Sequence, residues 1–473
     1  MKILFAASEA GPFIRTGGLG DVAAALPKAF KALGHDVRVV IPYYKTEIPA
    51  QFQNLMAYEG STFVDLSWRR QYCGVFKAVY EGITYYFIDN EYYFKRNGLY
   101  GHFDDGERFA FFSKAILESM PIMDFVPDII HANDWQTALV PVFLDCFYRY
   151  SKEYQKIKTV FTIHNIEFQG KYNKCLIDDI LGLPFGAGSL VEDSNCVNFM
   201  KGGIESAARV TTVSETYAEE LMHPFYSFGL DSILSNRSFK LRGVLNGIDT
   251  KLYDPMTDKA LFKNYGVDTI ADKVENKKGL CEMLDLPFDP EKPIIGMVTR
   301  LTEQKGMDLV AAVIEEILAA NLQFVVLGTG DWKYEEMLRN LESRYPTKVR
   351  TIIKFSQDIA SKIYAGSDMF LMPSKFEPCG LSQMIAMRYG SIPIVRETGG
   401  LKDTVIPFNA ETGLGRGFTF KTYNSYDMLD AVWRAVGTFG DKDKWNQAVA
   451  NSMSADFGWL SSAKKYIDIY KEI

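Results

Sequence analysis

A guanidinium and an ammonium group lie five residues apart in the C-terminal half of the chain, at Arg300 and Lys305. They follow an apolar run over residues 293–299, which is typical of a buried strand in a parallel sheet. Ligands of open α/β sheets bind at the carboxyl ends of the strands, and two cations suit a diphosphate better than one. We therefore predict an anion site here. The alternative is an arginine that caps a helix beside a solvated lysine.

A second stretch, Pro-Ser-Lys-Phe-Glu-Pro-Cys-Gly-Leu at residues 373–381, follows the apolar run 369–372. Its Glu377 lies between a phenylalanine and a proline. Because both neighbours constrain it, we predict that it accepts hydrogen bonds from sugar hydroxyls; a solvated loop glutamate is the alternative. Gly399 and Gly400 stand at a later predicted helix start, where backbone N–H groups can approach an anion closely. The two loops are expected to form one lip of a pocket.

Two polar residues also end predicted strands in the N-terminal half. Asp134 follows the strand that starts at residue 128, and His164 ends the run 159–164. A single histidine at a strand end is more often structural, but two polar residues at one sheet edge favour a functional site. No HxH or HExxH spacing occurs, so we expect no metal site.

Bulk properties restrict the class of protein. At 473 residues, 47% hydrophobic and 23% charged, the chain is expected to form two globular domains. A net charge of -7 and the lack of a long apolar segment argue against nucleic-acid and membrane partners. Six scattered cysteines without a CxxC pair favour a reducing cytoplasm, and the short N-terminal apolar run is interpreted as a strand, not a signal peptide. Missing GxxxxGK[ST] and GxGxxG motifs argue against NAD and kinase-type ATP sites.

The elements that position these residues alternate between strands and helices. A strand at 2–7, a helix at 21–33 and a strand at 37–41 predict a parallel sheet with right-handed crossovers. Pro27 is expected to bend that helix or to mark its start, and alternating runs over 61–90 indicate hairpins. The other predictions for this half are helices at 106–119 and 197–207, strands at 128–131, 159–164, 209–213 and 244–245, and a loop at 91–104.

The C-terminal half repeats the alternation more regularly, which predicts a doubly wound α/β domain. Strands are predicted at 293–299, 323–328, 349–355, 369–372 and 392–396. Helices are predicted at 306–320, 331–344, 358–366, 380–389, from 400, at 426–437 and at 456–471.

The sequence resembles the bacterial glycogen synthase and plant starch synthase family. The matching motifs occur in the same order as in the family and extend over essentially the whole chain. The run Glu377-Pro378-Cys379-Gly380-Leu381 is the most specific match. The other matching motifs are Arg15-Thr16-Gly17-Gly18-Leu19 (Lys-x-Gly-Gly-Leu in the family), Thr162 to Gly170, Asn246-Gly247-Ile248-Asp249, Arg300 to Gly306, and Thr398 to Val405.

The resemblance implies an α/β fold of two Rossmann-like, doubly wound domains that face a deep cleft, the GT-B type of glycosyltransferase. It implies an acceptor-side domain at 1–241, a nucleotide-sugar-binding domain at 242–455, and a C-terminal helix at 456–473 that crosses back to the first domain. The implied reaction is retaining transfer of glucose from ADP-glucose to the non-reducing 4-hydroxyl of an α-1,4-glucan, without a cofactor. UDP-glucose as donor, another GT-B glycosyltransferase and a non-catalytic sugar-binding protein are the alternatives, and the oligomeric state stays open.

Residue roles follow from the same resemblance. Arg300 and Lys305 would bind the donor diphosphate and stabilise the leaving group, Glu377 would hold the transferred glucose, and Asp134 would lie near the reacting centre. The remaining donor-side and sugar contacts are expected from Arg15, Gly17, Gly18, His164, Asn165, Asn246, Phe355, Cys379, Gly380, Leu381, Thr398, Gly399, Gly400 and Leu401.

Two positions depart from related patterns. Arg15 stands where the family has lysine, which keeps the charge but changes its geometry. Many other two-Rossmann transferases have a second glutamate eight residues after the first, where this chain has Ile385. The synthase family lacks that glutamate as well, so Ile385 favours this family over sucrose-synthase-like transferases.

Overall fold

The computed structural model describes all 473 residues, which form two compact units. The first unit comprises Met1–Asn246 together with Trp459–Ile473, and the second comprises Gly247–Gly458. Sequence reasoning had set the boundaries after residues 241 and 455. No helix combines the length and the apolar character that crossing a membrane requires.

The first unit is built on a nine-stranded sheet. Its strands are β1 (Lys2–Ala6), β2 (Asp36–Pro42), β3 (Ala57–Leu66), β4 (Arg69–Tyr80), β5 (Ile83–Asp89), β6 (Ile129–Asn133), β7 (Lys158–Ile163), β11 (Arg209–Thr212) and β12 (Leu241–Gly243). A separate small sheet holds β8 (Lys171–Asn173), β9 (Glu192–Asp193) and β10 (Cys196–Asn198). The helices are α1 (Gly18–Ala32), α2 (Ala50–Gln53), α3 (Glu91–Phe94), α4 (Asp105–Glu118), α5 (Met120–Met123), α6 (Leu139–Phe143), α7 (Phe199–Ser206), α8 (Glu215–Glu220), α9 (Pro224–Ser227) and α10 (Asp231–Asn236).

The large sheet has the order β12-β11-β7-β6-β1-β2-β5-β4-β3. Its strands from β12 to β5 pair in parallel, and β4 is antiparallel to both of its neighbours. After β1 the chain continues to β2, its neighbour on one side, and later returns to β6, its neighbour on the other side. The loops after β1 and β6 therefore flank the point where the strand order reverses, and such points are where open α/β sheets bind ligands.

Several boundaries in the first unit differ from the sequence-based prediction. Helix α1 begins at Gly18, so Pro27 lies inside the helix and does not mark its start. The strand predicted at 244–245 is wrong, since the edge strand is β12 at Leu241–Gly243. There Gly243 runs so close to the start of α8 that an added Cβ would lie 2.3 Å from Ser214 O. Residues 91–94 form a short helix because the Asn90 side chain caps Tyr93 N.

The second unit holds a six-stranded parallel sheet in the order β15-β14-β13-β16-β17-β18. The strands are β13 (Ile294–Val298), β14 (Gln323–Leu327), β15 (Val349–Ile352), β16 (Met369–Met372), β17 (Ile392–Arg396) and β18 (Phe418–Phe420). The helices are α11 (Lys273–Met283), α12 (Met307–Ala319), α13 (Trp332–Arg344), α14 (Gln357–Gly366), α15 (Ser382–Arg388), α16 (Gly399–Thr404), α17 (Ser425–Phe439) and α18 (Lys442–Met453). This is the doubly wound strand order, and its reversal point lies between β13 and β16.

Sequence reasoning did not predict α11, α18 or β18 in this unit. It also extended β15 to residue 355, whereas the strand ends at Ile352. Lys354 N donates to Ile352 O over 3.0 Å, which turns the chain and leaves Phe355 85% exposed.

The last helix, α19 (Trp459–Lys471), packs in the first unit against α1. The rings of Tyr466 and Tyr470 lie 6.1 and 5.6 Å from the ring of Phe30. The Tyr470 hydroxyl reaches the sheet, 2.6 Å from His131 Nδ1 on β6. The helix is thus anchored by apolar packing and by a buried hydrogen bond.

Candidate functional site

The second unit brings its predicted chemical residues together at the reversal point of its sheet. Lys305 lies in the loop after β13, and Glu377 lies in the loop after β16. Lys305 Nζ donates to Glu377 Oε2 over 2.6 Å, and Ser374 Oγ donates to the same oxygen over 2.9 Å. Glu377 is only 6% exposed. The carboxylate is therefore fixed in place by one cation and one hydroxyl.

Arg300 occupies the same loop as Lys305 but remains exposed. Its Nη2 lies 3.4 Å from Gln304 Oε1, a neighbour in its own loop, so it does not cap another helix. Lys305 and Arg300 together place two cationic groups where the first strand of this unit ends. That arrangement can attract a polyanion, since side-chain cations beside a loop-to-helix turn suit phosphate.

The loop that starts at Thr398 packs directly on the Glu377 loop. Gly399 has φ +44, and a Cβ there would lie 2.0 Å from Glu377 O. A Cβ at Gly400 would lie 2.1 Å from Cys379 O, so both glycines are required by close backbone approach. Gly400 N already donates to Glu377 O and Pro378 O, at 3.2 and 3.3 Å. Donation from this N–H to a phosphate would require those hydrogen bonds to be exchanged.

Gln383 on α15, which sequence reasoning missed, ties these loops together. Its fully buried Nε2 donates to Cys379 O, Gly380 O and Thr404 Oγ1, at 3.0, 2.8 and 3.1 Å. Gly380 has φ +72, and a Cβ there would lie 2.5 Å from Gln383 Oε1. A glutamine at the second residue of a helix was the available indication, but its three partners depend on the tertiary fold.

The remaining predicted residues of this unit contribute in different ways. Cys379 is 5% exposed and belongs to the packed loop. Leu381 is the residue that precedes α15, and Thr398 the residue that precedes α16. Phe355, predicted as a donor-side contact, is exposed beyond the short edge strand β15.

In the first unit, Asp134 and His164 meet at the ends of neighbouring strands β6 and β7. Asp134 has φ +57, an uncommon conformation outside glycine, and its Oδ1 accepts His164 N at 2.7 Å. Asn165 N lies 3.4 Å from the same oxygen. Enclosure by surrounding protein raises the pKa of Asp134 to about 7, although these two backbone hydrogen bonds act in the opposite direction.

His164 is held in one tautomer by Asn133. The Asn133 amide nitrogen donates to Ala6 O and His131 O, which leaves its Oδ1 to accept from His164 Nε2 at 2.9 Å. The proton therefore resides on Nε2, and Nδ1 is an acceptor. Burial lowers the pKa of His164 to about 3, so the ring is neutral at physiological pH.

Glu9 is a further acidic residue near this site that sequence reasoning did not select. It follows β1, is 3% exposed, and accepts Thr16 N and Thr16 Oγ1 at 2.5 and 2.8 Å. Burial raises its pKa, and its charge in turn contributes to the raised pKa of Asp134. Its position directly after an apolar strand, at the same edge as Asp134, was the available indication. Glu9 holds the glycine loop that precedes α1.

That glycine loop carries Arg15, Gly17 and Gly18. Arg15 Nη1 lies 2.7 Å from Asp21 Oδ1, an exposed ion pair that connects the loop to the first turn of α1. Gly17 is the extended residue before the helix, and Gly18 is its first residue. Apart from its chain neighbours and the backbone of its own helix, no protein atom lies within 4 Å of a Cβ added at Gly18, so the backbone there is open to approach by a ligand.

Two asparagines complete the predicted set in the first unit. Asn165 Oδ1 accepts Glu167 N at 3.0 Å, a local turn that shapes the loop after β7. Asn246 is 6% exposed, and its buried Oδ1 has no hydrogen-bond partner. A buried acceptor without a partner is uncommon in proteins and marks Asn246 as a candidate ligand contact.

Comparison with known proteins identifies the family. Residues 2–236 match the model of the starch synthase catalytic domain, and residues 283–443 match that of glycosyl transferases group 1. The chain is 50% identical over 476 residues to the glycogen synthase of Desulforamulus reducens, covering 100% of this chain and 99% of that protein. This chain belongs to the glycogen synthase and starch synthase family. The glycogen synthase of Anoxybacillus flavithermus is also 50% identical, with coverage of 100% and 98%.

A solved structure supports the same conclusion for the fold. The catalytic domain of starch synthase IV from Arabidopsis thaliana, bound to ADP and acarbose, superimposes with a TM-score of 0.90 at 35% identity. The match covers 100% of this chain and 98% of that one. The predicted GT-B fold and family are thus confirmed. Like its family, the chain is a glycosyltransferase of glycogen or starch synthesis, which uses a nucleotide-sugar donor and a glucan acceptor.

Proposed function

We propose that the chain transfers glucose from ADP-glucose to the non-reducing 4-hydroxyl of an α-1,4-glucan with retention of configuration. The observation that carries this proposal is the Lys305–Glu377 ion pair at the sheet reversal of the second unit, with Arg300 in the same loop. ADP as the nucleotide is supported by the 35% identical Arabidopsis structure, which is described with ADP and acarbose. UDP-glucose is the alternative donor.

The proposal assigns the donor diphosphate to Arg300 and Lys305. An ammonium has three N–H donors, so Lys305 can bind Glu377 and still donate to a phosphate oxygen. Negative charge develops on the diphosphate as the glycosidic bond breaks, and fixed cations stabilise it at that moment. Gly399, Gly400, Leu401 and Thr398 would bring the start of α16 close to the same group.

Glu377 would hold the transferred glucose rather than attack it. Lys305 and Ser374 both engage Oε2, which leaves Oε1 to accept from sugar hydroxyls. A carboxylate that is already ion-paired and hydrogen-bonded is a weak nucleophile. Cys379, Gly380 and Leu381 would shape the same side of the glucose pocket, and Ile385 offers no second carboxylate.

The mechanism we propose is attack on the same face from which the diphosphate leaves. The bond between the anomeric carbon and the phosphate oxygen breaks, and the acceptor O4 bonds to that carbon from the same side. The acceptor's hydroxyl proton passes to an oxygen of the departing diphosphate. No group on the protein is covalently modified, and no cofactor takes part.

The polar residues of the first unit would contact the sugar and the acceptor. The Asp134 carboxyl would lie near the reacting centre on the acceptor side, and His164 Nδ1 and the partnerless Asn246 Oδ1 would accept from sugar hydroxyls. Asn165, Arg15, Gly17 and Gly18 would line the approach of the donor. The domain roles and the cytoplasmic location inferred from the sequence stay predictions.

An assay of donor choice and product tests the proposal. Full-length protein is incubated with glycogen and either ADP-glucose or UDP-glucose, and nucleotide release is measured. We expect faster release from ADP-glucose, and an α-1,4 linkage in the product by NMR. Inversion of the anomeric configuration, or a stable glucosyl adduct on Glu377 or Asp134, would refute the mechanism, whereas faster turnover of UDP-glucose would refute only the donor assignment.

A further inference from the structure

A pocket of about 410 Å³ lies in the second unit at the amino ends of the sheet strands. Asp368, which lines it, immediately precedes β16, and its Oδ2 accepts the N–H of Ile294, the first residue of β13. Arg300 and Glu377 follow the opposite ends of these same strands. A strand of four or five residues spans about 15 Å, so this amino-edge pocket is distinct from the proposed donor site.

Lys273 is the most unusual group in the amino-edge pocket. It is buried, and its Nζ donates to Ala365 O at 2.5 Å, with Tyr364 O at 3.4 Å. Both carbonyls belong to the last turn of α14, and no carboxylate lies within ion-pair distance of the ammonium. Buried lysines are rare unless they are paired with an acid. Burial lowers the pKa of Lys273 to about 7; the charge of Asp368 acts in the opposite direction, and that of Lys277 lowers it further.

Two more lysines converge on the same pocket around the ring of Phe439. Lys277 Nζ lies 5.2 Å from the ring centroid, and Lys442 Nζ lies 4.0 Å from it. Lys277 is also paired with Asp368 Oδ2 at 3.0 Å, and the same oxygen accepts the Ile294 N–H. Asp368 thus forms its ion pair with Lys277 and not with Lys273.

The charges that line the pocket do not balance. Three ammonium groups, from Lys273, Lys277 and Lys442, face two carboxylates, from Asp368 and the exposed Asp268 at the rim. Glu291 pairs with Lys442 at 3.1 Å, but its side chain is 72% exposed, where an ion pair contributes little. The lining of the pocket therefore carries one lysine more than it has carboxylates.

We propose that the amino-edge pocket binds a small phosphate-bearing anion, whose phosphoryl oxygens pair with Lys273, Lys277 and Lys442. Three ammonium groups around one cavity suit a phosphoryl group, which offers several acceptor oxygens. The volume falls within the range of about 300–1,000 Å³ that is typical of small-molecule sites. The aromatic wall formed by Phe439 and Trp445, whose rings lie 5.2 Å apart, could accommodate the organic part of an ester.

Calorimetric titration of the full chain with inorganic phosphate tests this inference. Because the proposed donor site would also attract phosphate, the titration is run on the Arg300→Ala/Lys305→Ala double variant. Binding is expected to persist there, to weaken about fivefold when Lys442→Ala is added, and to be lost with Lys273→Met. Lys444→Ala is the matched control, since Lys444 lies on the same helix, pairs with Asp441 and does not line the pocket.

The outcomes separate the possible interpretations. Phosphate binding that vanishes in the Arg300→Ala/Lys305→Ala variant, or that Lys442→Ala leaves unchanged, would overturn the inference; Lys273 would then serve only to cap α14. If Lys273→Met does not fold, the phosphate affinities of Lys442→Ala and Lys444→Ala are compared instead, and that comparison alone decides whether the pocket binds phosphate. Phenyl phosphate that binds more tightly than phosphate identifies an ester as the occupant, and equal affinities identify free phosphate. The result does not depend on which donor the enzyme uses.

Discussion

Lys305 and Glu377, 72 residues apart in the chain, form a 2.6 Å ion pair that joins the loops on either side of the sheet reversal in the second unit. Each side chain thereby fixes the other. If Lys305 moves away, the Glu377 carboxylate, whose side chain is only 8% exposed, keeps Ser374 as its one partner. The anion-binding and sugar-holding functions that we propose for the two residues are therefore coupled.

Removal of Lys305 is expected to affect catalysis far more than stability. Lys305→Ala should lower kcat/KM for ADP-glucose by about 100- to 1,000-fold, the usual effect of losing one group that stabilises the transition state. It should lower the free energy of unfolding by about 1–3 kcal/mol, because Glu377 loses a partner. Steady-state kinetics and denaturant titration measure the two effects.

The control for this variant is Lys375→Ala. Lys375 also connects the two loops, through an ion pair with Glu303 at 3.0 Å, but Glu303 is 54% exposed. Because exposed pairs contribute little, this variant should retain near-normal activity. Equal losses in the two variants would mean that loop geometry, not the Lys305 charge, is responsible.

Ionised Asp134 is expected to lower the stability of the fold, although the residue is required for activity. Its pKa of about 7 lies above that of an unfolded aspartate, so the folded state binds the proton more tightly. Ionisation therefore destabilises the fold as pH rises from about 4 to 7. Asp134→Asn should be inactive but more stable than the wild type by about 2 kcal/mol at pH 8, with the gain vanishing near pH 4. Thermal unfolding across this pH range measures the difference, and a gain that does not depend on pH would contradict this assignment.

The sequence allowed Asp134 and His164 to be placed at one sheet edge, because each follows an apolar strand of a parallel sheet. It could not reveal that Asp134 accepts the His164 N–H, since that bond depends on the register of β6 and β7 and on a positive φ. Most strands of the second unit could likewise be predicted, because each buried parallel strand is a short apolar run in the sequence. Glu9 was missed because only the tertiary fold brings Thr16 back over it.

Glu9 is expected to set the pH dependence of the first unit's site. Its charge raises the pKa of Asp134, while Thr16, Gly20 and Asp21 are the groups that act on Glu9 itself. In Glu9→Gln, the amide oxygen can still accept from Thr16, but the charge is gone. The acidic limb of the kcat/KM profile, which we assign to Asp134, should move to lower pH.

The comparison for this experiment is Glu81→Gln, which removes a carboxylate that is 54% exposed on a hairpin turn. Its profile should match that of the wild type. A rate loss in Glu9→Gln without any movement of the acidic limb would show that Glu9 only supports the glycine loop, and would remove the basis for its electrostatic link to Asp134.

Tyr470 should contribute to stability through His131. The tyrosine hydroxyl lies 2.6 Å from Nδ1 of this buried histidine, and Nε2 lies 2.5 Å from Thr162 Oγ1. Tyr470→Phe leaves Nδ1 without its partner and should lower the free energy of unfolding by about 1–3 kcal/mol at pH 7. Tyr345→Phe, which loses a hydrogen bond to an exposed Glu315, should change it by less than about 1 kcal/mol.

The pH dependence of stability provides a second measurement on the same histidine. Burial lowers the pKa of His131 to about 3, below that of an unfolded histidine, so protons bind preferentially to the unfolded chain. Stability from this residue is present above about pH 6.5 and is lost as pH falls, by about 2 kcal/mol at pH 5. His131→Gln should reduce that slope in chemical denaturation at pH 5 and pH 7. An unchanged slope would show that His131 does not have the lowered pKa assigned to it in the folded state.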